Sequence, residues 1–169
     1  MDLGIVTLPT TATNMEVIPV FRDEVQVVVP KGHALAKNKT VTVEELAQHP
    51  LILPKTGHTR VVLDRLLRPQ RDHLQISMEL ASVETIKKFV GAGLGISLIS
   101  RTYVQPEVAA GVLKLIPLEG QKIFRELGLV YRQDRYLSLP TKVFIDVVRE
   151  STKTVIASAS TATNSGTIR

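Results

Sequence analysis

Apolar residues recur along the chain in two rhythms that alternate: short uninterrupted runs, and stripes spaced three or four apart. Residues 3–6 are an apolar run too short for a helix and suited to a strand covered on both faces. β-Branched runs at 17–22 and 25–29 are split by Asp23-Glu24 and stopped by Pro30-Lys31-Gly32, which predicts two strands. Residues 33–39 read as polar loop. Thr42-Val43-Glu44-Glu45 places Glu three residues after Thr, the capping-box pairing, and opens a helix to about His49. Pro50 closes that helix, and Leu51-Ile52-Leu53 is a buried strand ended by Pro54.

The polar segment Lys55-Thr56-Gly57-His58-Thr59-Arg60 leads into a helix striped by Val62, Leu63, Leu66 and Leu67. Asp64, Arg65 and Arg68 face water, and Pro69 marks its end. Residues 74–80 alternate as a strand. Ser82 caps a further helix with Val83, Ile86, Phe89 and Val90 on one face and a Glu84–Lys88 pair on the other. Gly91 and Gly93 can stop it. Strands follow at 96–99 and 112–116, with a short helical turn between them, and a strong strand at 125–132. Ser138 caps a last helix striped by Val143, Phe144, Val147 and Val148. Residues 151–169, mostly Ser, Thr and Ala, show no sustained pattern and predict a disordered tail. The β-α-β alternation of the middle predicts an α/β fold with a mixed, mainly parallel sheet.

A chain of 169 residues has room for one ordinary domain, or for one small lobe and part of another. Aromatics make up 4% and Trp is absent, so the core falls to Val, Leu and Ile. The lack of Cys excludes disulfides, zinc fingers and thiol nucleophiles, and fits a reducing cytoplasm. His33, His49, His58 and His73 show no ligand spacing, so no metal site is expected. No segment reaches the length of a membrane span, and the first residues carry no secretory signal. The net charge of +5 brings nucleic acid to mind, but Lys and Arg are dispersed among acids without a basic run. Arg65, Arg68 and Arg71 read as the wet face of a helix. No G-x-S-x-G or Ser–His–Asp arrangement occurs, so no catalytic residue is assigned and an enzyme is not expected. Gly91-Ala92-Gly93-Leu94-Gly95 has the wrong spacing for a nucleotide loop and follows a helix, so no cofactor is expected.

One segment does carry chemistry. A Gly-containing polar loop running into a helix, as at Thr56-Gly57-His58-Thr59-Arg60, offers hydroxyls, free N–H groups and the positive end of the helix dipole. These suit a carboxylate, sulfate or phosphate, and Arg60 can add a bidentate contact. The same residues also fit a plain N-cap at Thr59 with Arg60 in water. Ala81-Ser82-Val83 repeats the strand-to-helix geometry, with Ser82 also readable as a simple cap.

Several phrases, in order, resemble the effector-binding domain of LysR-type transcriptional regulators. They begin with Asp2-Leu3-Gly4-Ile5-Val6, then Glu24-Val25-Gln26-Val27-Val28-Val29-Pro30 and Gly32-His33-Ala34-Leu35-Ala36. Val43-Glu44-Glu45-Leu46, Pro50-Leu51-Ile52 and Gly57 with Thr59-Arg60 come next. The clearest is Glu79-Leu80-Ala81-Ser82-Val83-Glu84-Thr85-Ile86-Lys87, running into Val90-Gly91-Ala92-Gly93-Leu94-Gly95-Ile96-Ser97. Arg125-Glu126-Leu127-Gly128-Leu129-Val130-Tyr131, Leu137-Ser138 and Phe144-Ile145 complete the set, over about residues 1–150.

The resemblance implies a type 2 periplasmic-binding-protein-like fold, two α/β lobes with a small effector in the cleft between them. Residues 18–124 would form a complete second lobe. Residues 1–17 and 125–150 would form part of the first, and 151–169 the tail. Thr56, Gly57, Thr59, Arg60, Ser82 and Val83 would border the cleft, with Thr7 where the chain crosses between lobes. The winged helix-turn-helix of a complete regulator is not among these residues. The expectation is thus an N-terminally truncated sensor of a small organic or inorganic anion, touching DNA only through the missing module. It implies a homodimer, a tetramer in the intact parent, and a cytoplasmic location. Two alternatives share the fold. A solute-binding protein would require a secretory signal in the full gene. An enzyme such as a dehydratase would need an acid/base pair, and Glu84 is the sole carboxylate near the proposed site.

Overall fold

A computed structural model describes residues 3–10, 13–134 and 136–162, with side chains through Thr152. Asp2 and residues 163–169 of the expected tail lie outside the described residues. Among the described residues, seven strands and five α-helices follow one another. Contacts divide it into two units, one of Met1–Arg22 with Glu126–Arg169 and one of Asp23–Arg125. The boundaries fall inside two strands, β2 (Met15–Pro30) and β7 (Ile123–Arg132), five residues after residue 17 at the first and one after residue 124 at the second.

The Asp23–Arg125 unit explains the uninterrupted apolar runs. In β2, Val25, Val27 and Val29 enter one buried cluster and Val28 enters another. In β3 (Pro50–Pro54), Leu51 and Leu53 join the first and Ile52 the second. Side chains alternate across a strand, so these strands are apolar on both faces and helices must cover both. The first face packs on Leu46 of α1 (Val43–Ala47) and Leu63 and Leu67 of α2 (His58–Leu67). The second packs on Ile86 and Val90 of α3 (Val83–Gly91) and Val104 of α4 (Arg101–Ala109).

β2 pairs antiparallel with β5 (Ser97–Ser100) over Val25–Val28, and with β6 (Leu113–Ile116) over Val27–Pro30. β3 and β4 (Gln75–Leu80) run parallel, joined by the α2 crossover. Ile96 ties β3 to the start of β5 through Ile52 N–H to Ile96 O and Ile96 N–H to Pro50 O, both 2.9 Å. The expectation of one mainly parallel sheet is corrected: the strand pairs about β2 are antiparallel, and β3 and β4 form a separate two-stranded parallel sheet. The other unit pairs β1 (Gly4–Leu8) antiparallel with β7, from Gly4 opposite Val130 to Leu8 opposite Glu126. Its core is small: Ile18, Leu129 and Ile145, with Val20, Tyr131, Leu137 and Val148 packed around them. Arg22 and Glu126 form an ion pair at 3.3 Å.

Six further sequence expectations are corrected. Asp23-Glu24 does not split β2. Asp23 is buried because its carboxylate accepts the Thr102 N–H at the start of α4, at 3.3 Å. Residues 33–39 contain a 3-10 helix, Ala34–Lys37, which buries Leu35 and Ala36. The short turn before β6 is the full helix α4. It tolerates Pro106, whose ring deletes one helical hydrogen bond, because Val104 and the Asp23 contact hold it. Pro69 does not end the helical path, which passes from α2 into a 3-10 segment, Arg68–His73. Glu84 pairs with Lys87 instead of Lys88. The last helix, α5, extends over Leu139–Ala162, past the expected end at residue 150, because Lys153, Ala157 and Ala159 are good helix formers. It buries Ile145 and leaves Val143, Phe144 and Val147 about half exposed, so its core-facing stripe is rotated from the expected one. Among the described residues, no helix is long and apolar enough to cross a membrane.

Candidate functional site

β3 and β4 run side by side in the same direction, so their C-terminal ends meet at one edge and each then feeds a helix. Lys55 N–H donates to Leu80 O at 2.9 Å, which fixes the two exits together. Thr56, Gly57 and Thr59 follow the first exit, and Ser82 and Val83 follow the second. Paired helix N-termini beyond adjacent parallel strands concentrate N–H donors and positive dipole ends at one edge.

The two helix starts differ chemically. Ser82 caps α3, its hydroxyl accepting the Thr85 N–H at 3.4 Å. Gly57 is the N-cap of α2, with φ 100° and ψ 172°, a conformation that L side chains rarely adopt, and no side chain caps that end. Thr59 therefore sits inside the first turn and is not the N-cap. The amide groups that open α2 lack the side-chain acceptor that α3 has. Thr56 and Gly57 are exposed and Thr59 is half-buried. Thr7 lies in the other unit, in β1 opposite Leu127.

Arg60 is not solvated, and its guanidinium already has partners within the protein. It is 17% exposed, and its Nε donates to Asp64 at 2.7 Å while Nη1 donates to Pro54 O at 3.1 Å and pairs with Glu79. Burial works against its charge, but hydrogen bonds and attraction from Asp64 and Glu79 outweigh burial and raise its pKa. These contacts tie α2 to the ends of β3 and β4, which makes Arg60 a positioning residue for the loop.

A second positioning group was missed in the sequence. Lys87 is 7% exposed, and its ammonium bonds to Glu107 at 2.8 Å, Glu84 at 2.9 Å and Tyr103 O at 2.9 Å. Burial disfavours the charge, yet Glu107 and Glu84 more than compensate and raise the Lys87 pKa. The Lys87 hydrogen bond in turn lowers the Glu107 pKa. The cluster locks α3 to α4 and so holds the Ser82 turn. Spacing along α3 offered two acceptable partners for Glu84, at i+3 and i+4, and only the packing of α4 chooses between them. Gly95 packs closely against β3 nearer its N-terminal end. A Cβ there would come within 2.6 Å of Pro50 O and 3.0 Å of Ile52 Cγ1.

Among the described residues no group of His, Asp and Glu could hold a metal ion. The arrangement can bind an anion through main-chain donors and hydroxyls.

Comparison with known proteins identifies a family. The family model described as LysR substrate binding domain matches residues 1–153. A "Probable RuBisCO transcriptional regulator" of Trichormus variabilis is 34% identical over 151 residues, covering 85% of this chain and 45% of that protein. The "Uncharacterized HTH-type transcriptional regulator YeiE" of Escherichia coli K12 is 32% identical over 147 residues, covering 86% of this chain and 50% of that protein. The chain thus spans about half the length of these relatives. The Synechocystis PCC6803 CcmR regulatory domain, solved in complex with 2-PG, superposes with a TM-score of 0.80 at 25% identity, covering 90% of this chain and 74% of that one. The effector-binding domain of QuiR with shikimate gives 0.77 at 23% identity, covering 90% and 72%, a likeness of fold.

Proposed function

The chain belongs to the LysR substrate-binding domain family, and we propose that it is the effector-sensing part of a LysR-type transcriptional regulator. Its effector is a small anion. The observation that carries this reading is the uncapped start of α2 at Gly57, fastened beside the Ser82 turn at the ends of parallel β3 and β4. Thr56, Gly57 and Thr59 supply N–H groups and hydroxyls, and Ser82 and Val83 the neighbouring turn. Arg60 contributes through its hold on Asp64, Glu79 and Pro54 O. The 2-PG and shikimate complexes of CcmR and QuiR support a small-molecule effector. In the parent regulator DNA is held by a helix-turn-helix, the assembly is a dimer of these sensing parts, and the setting is the cytoplasm. The chain performs no catalysis: effector binding shifts a conformational population and thereby the operator complex.

Thermal unfolding with 2-phosphoglycolate and with shikimate as probes tests this reading. At a hundred times Kd a ligand that binds only the folded state adds about 2.7 kcal/mol. That corresponds to a rise in Tm of roughly 5–11 °C for a chain of this size. The double variant Thr56→Val, Thr59→Val keeps the fold and loses the rise. A rise of equal size in the variant places the ligand elsewhere.

A further inference from the structure

Arginines 60, 65, 68 and 71 all line one cavity of about 390 Å³ in the Asp23–Arg125 unit. Leu53, Leu67, Leu74 and Ile76 also line it, with Leu53 and Leu67 buried behind the surface. Ile76 is 42% exposed although it is a large strand residue. The sequence reads Arg65, Arg68 and Arg71 as the wet face of a helix, where charges of both signs normally mingle. Here the cavity has one acid, Asp64, and it is already bonded to Arg60. Among the described residues, no carboxylate pairs with Arg65, Arg68 or Arg71.

The end of α2 accounts for part of this, because a helix C-terminus favours a cation in its last turn, as at Arg65. It does not account for Arg65, Arg68 and Arg71 gathered around one hollow beside the already paired Arg60, where like charges repel. An anion relieves that repulsion, and the guanidinium fork matches phosphate or carboxylate oxygens in pairs. The volume lies within the range of small-molecule sites and far exceeds the need of an inorganic ion. We infer that this cavity is a second anion site, fit for a phosphate ester whose apolar body rests on Leu74 and Ile76. It reaches the first turn of α2 at Arg60, but neither Thr56 nor Thr59 is among its lining residues. Arg60 lines its wall, so occupancy touches the residue that anchors the Thr56–Thr59 loop.

Calorimetric titration of the whole chain with 1-naphthyl phosphate at low ionic strength tests the site. Binding is expected to weaken at least tenfold in Arg65→Gln, Arg68→Gln, and to stay within twofold in Thr56→Val, Thr59→Val. Lys37→Gln, Lys39→Gln removes the same net charge elsewhere and also stays within twofold. Uncharged 1-naphthol binds at least tenfold more weakly than its phosphate. Should the arginine double variant melt early, Arg71→Gln alone, at an exposed position, is expected to weaken binding three- to tenfold. The inference is overturned by any of four results: no binding, equal loss in the lysine pair, full affinity without the arginines, or loss in the threonine pair. The threonine variant also separates the two sites, since it abolishes the effect proposed for the loop and spares this one.

Discussion

Replacing Lys87 with Met isolates the energetic role of the ammonium that joins α3 to α4. All three of its donors are used, on Glu107, Glu84 and the Tyr103 carbonyl. Met fills a similar volume, so packing changes little and the loss is electrostatic. Removing one partner of a fully buried ion pair costs about 3–5 kcal/mol, because the other charge is stranded. Glu107 is 28% exposed and Glu84 is 69% exposed, so water recovers part of their solvation. The cost falls to about 2–3 kcal/mol at pH 7. Urea unfolding followed by far-UV circular dichroism measures it. The pH dependence identifies the cause. Glu107 has a folded pKa held below its ordinary 4.5 by Lys87. Its contribution is therefore complete above 4.5 and disappears as pH falls through the lower folded value. The difference between parent and Lys87→Met is expected to be flat from pH 6 to 9 and to shrink below pH 4.5. Glu84→Gln, at the exposed end of the cluster, should cost no more than about 0.5 kcal/mol. A Lys87→Met variant within 0.5 kcal/mol of the parent, or a loss that persists unchanged at pH 3.5, would refute the assignment.

Gly95→Ala is expected to destabilise by about 1–3 kcal/mol, seen as a lower urea midpoint, because the added carbon meets the Pro50 carbonyl and not a yielding side chain. An unchanged midpoint would show that β3 yields without cost. His33 accepts the Leu35 N–H through Nδ1 at 3.2 Å, and burial together with His49 lowers its pKa. The neutral form is thus favoured in the folded state, so stability is complete above 6.5 and falls as pH drops toward the lower folded value. His33→Asn keeps a capping acceptor and is expected to flatten that dependence in melts between pH 7.5 and 5.5.

The apolar rhythm disclosed both core faces of the Asp23–Arg125 unit, since Val25, Val27 and Val29 against Val28 follow from side-chain alternation alone. The Thr42 box and the Ser82 cap were equally legible, because a cap is a local contact between near neighbours. Tertiary contacts were not. Asp23 looked like a strand break because its partner, the Thr102 amide, lies far along the chain. Arg60 looked like a ligand contact because Glu79 is brought to it only by the pairing of β3 with β4. The helix of Thr59 was legible, but its start was not: positive φ at Gly57 moved the cap ahead of the threonine that the pattern favoured. The arginines at 65, 68 and 71 gave no signal as a group, since their common cavity is completed by Leu74 and Ile76.

The division of the chain also sets an order of events at the ribosome. The Asp23–Arg125 unit is one continuous run and is complete when Arg125 emerges, whereas β1 is made before it and the partner of β1, Glu126–Val130, only after it. At about 5–20 residues per second, β1 waits roughly 6–25 s for that strand. During that interval its hydrogen-bonding edge toward β7 is open to any other extended chain. Newly made chains are therefore vulnerable at β1 until Glu126–Val130 follow, and stabilising the inner unit does nothing to shorten the wait.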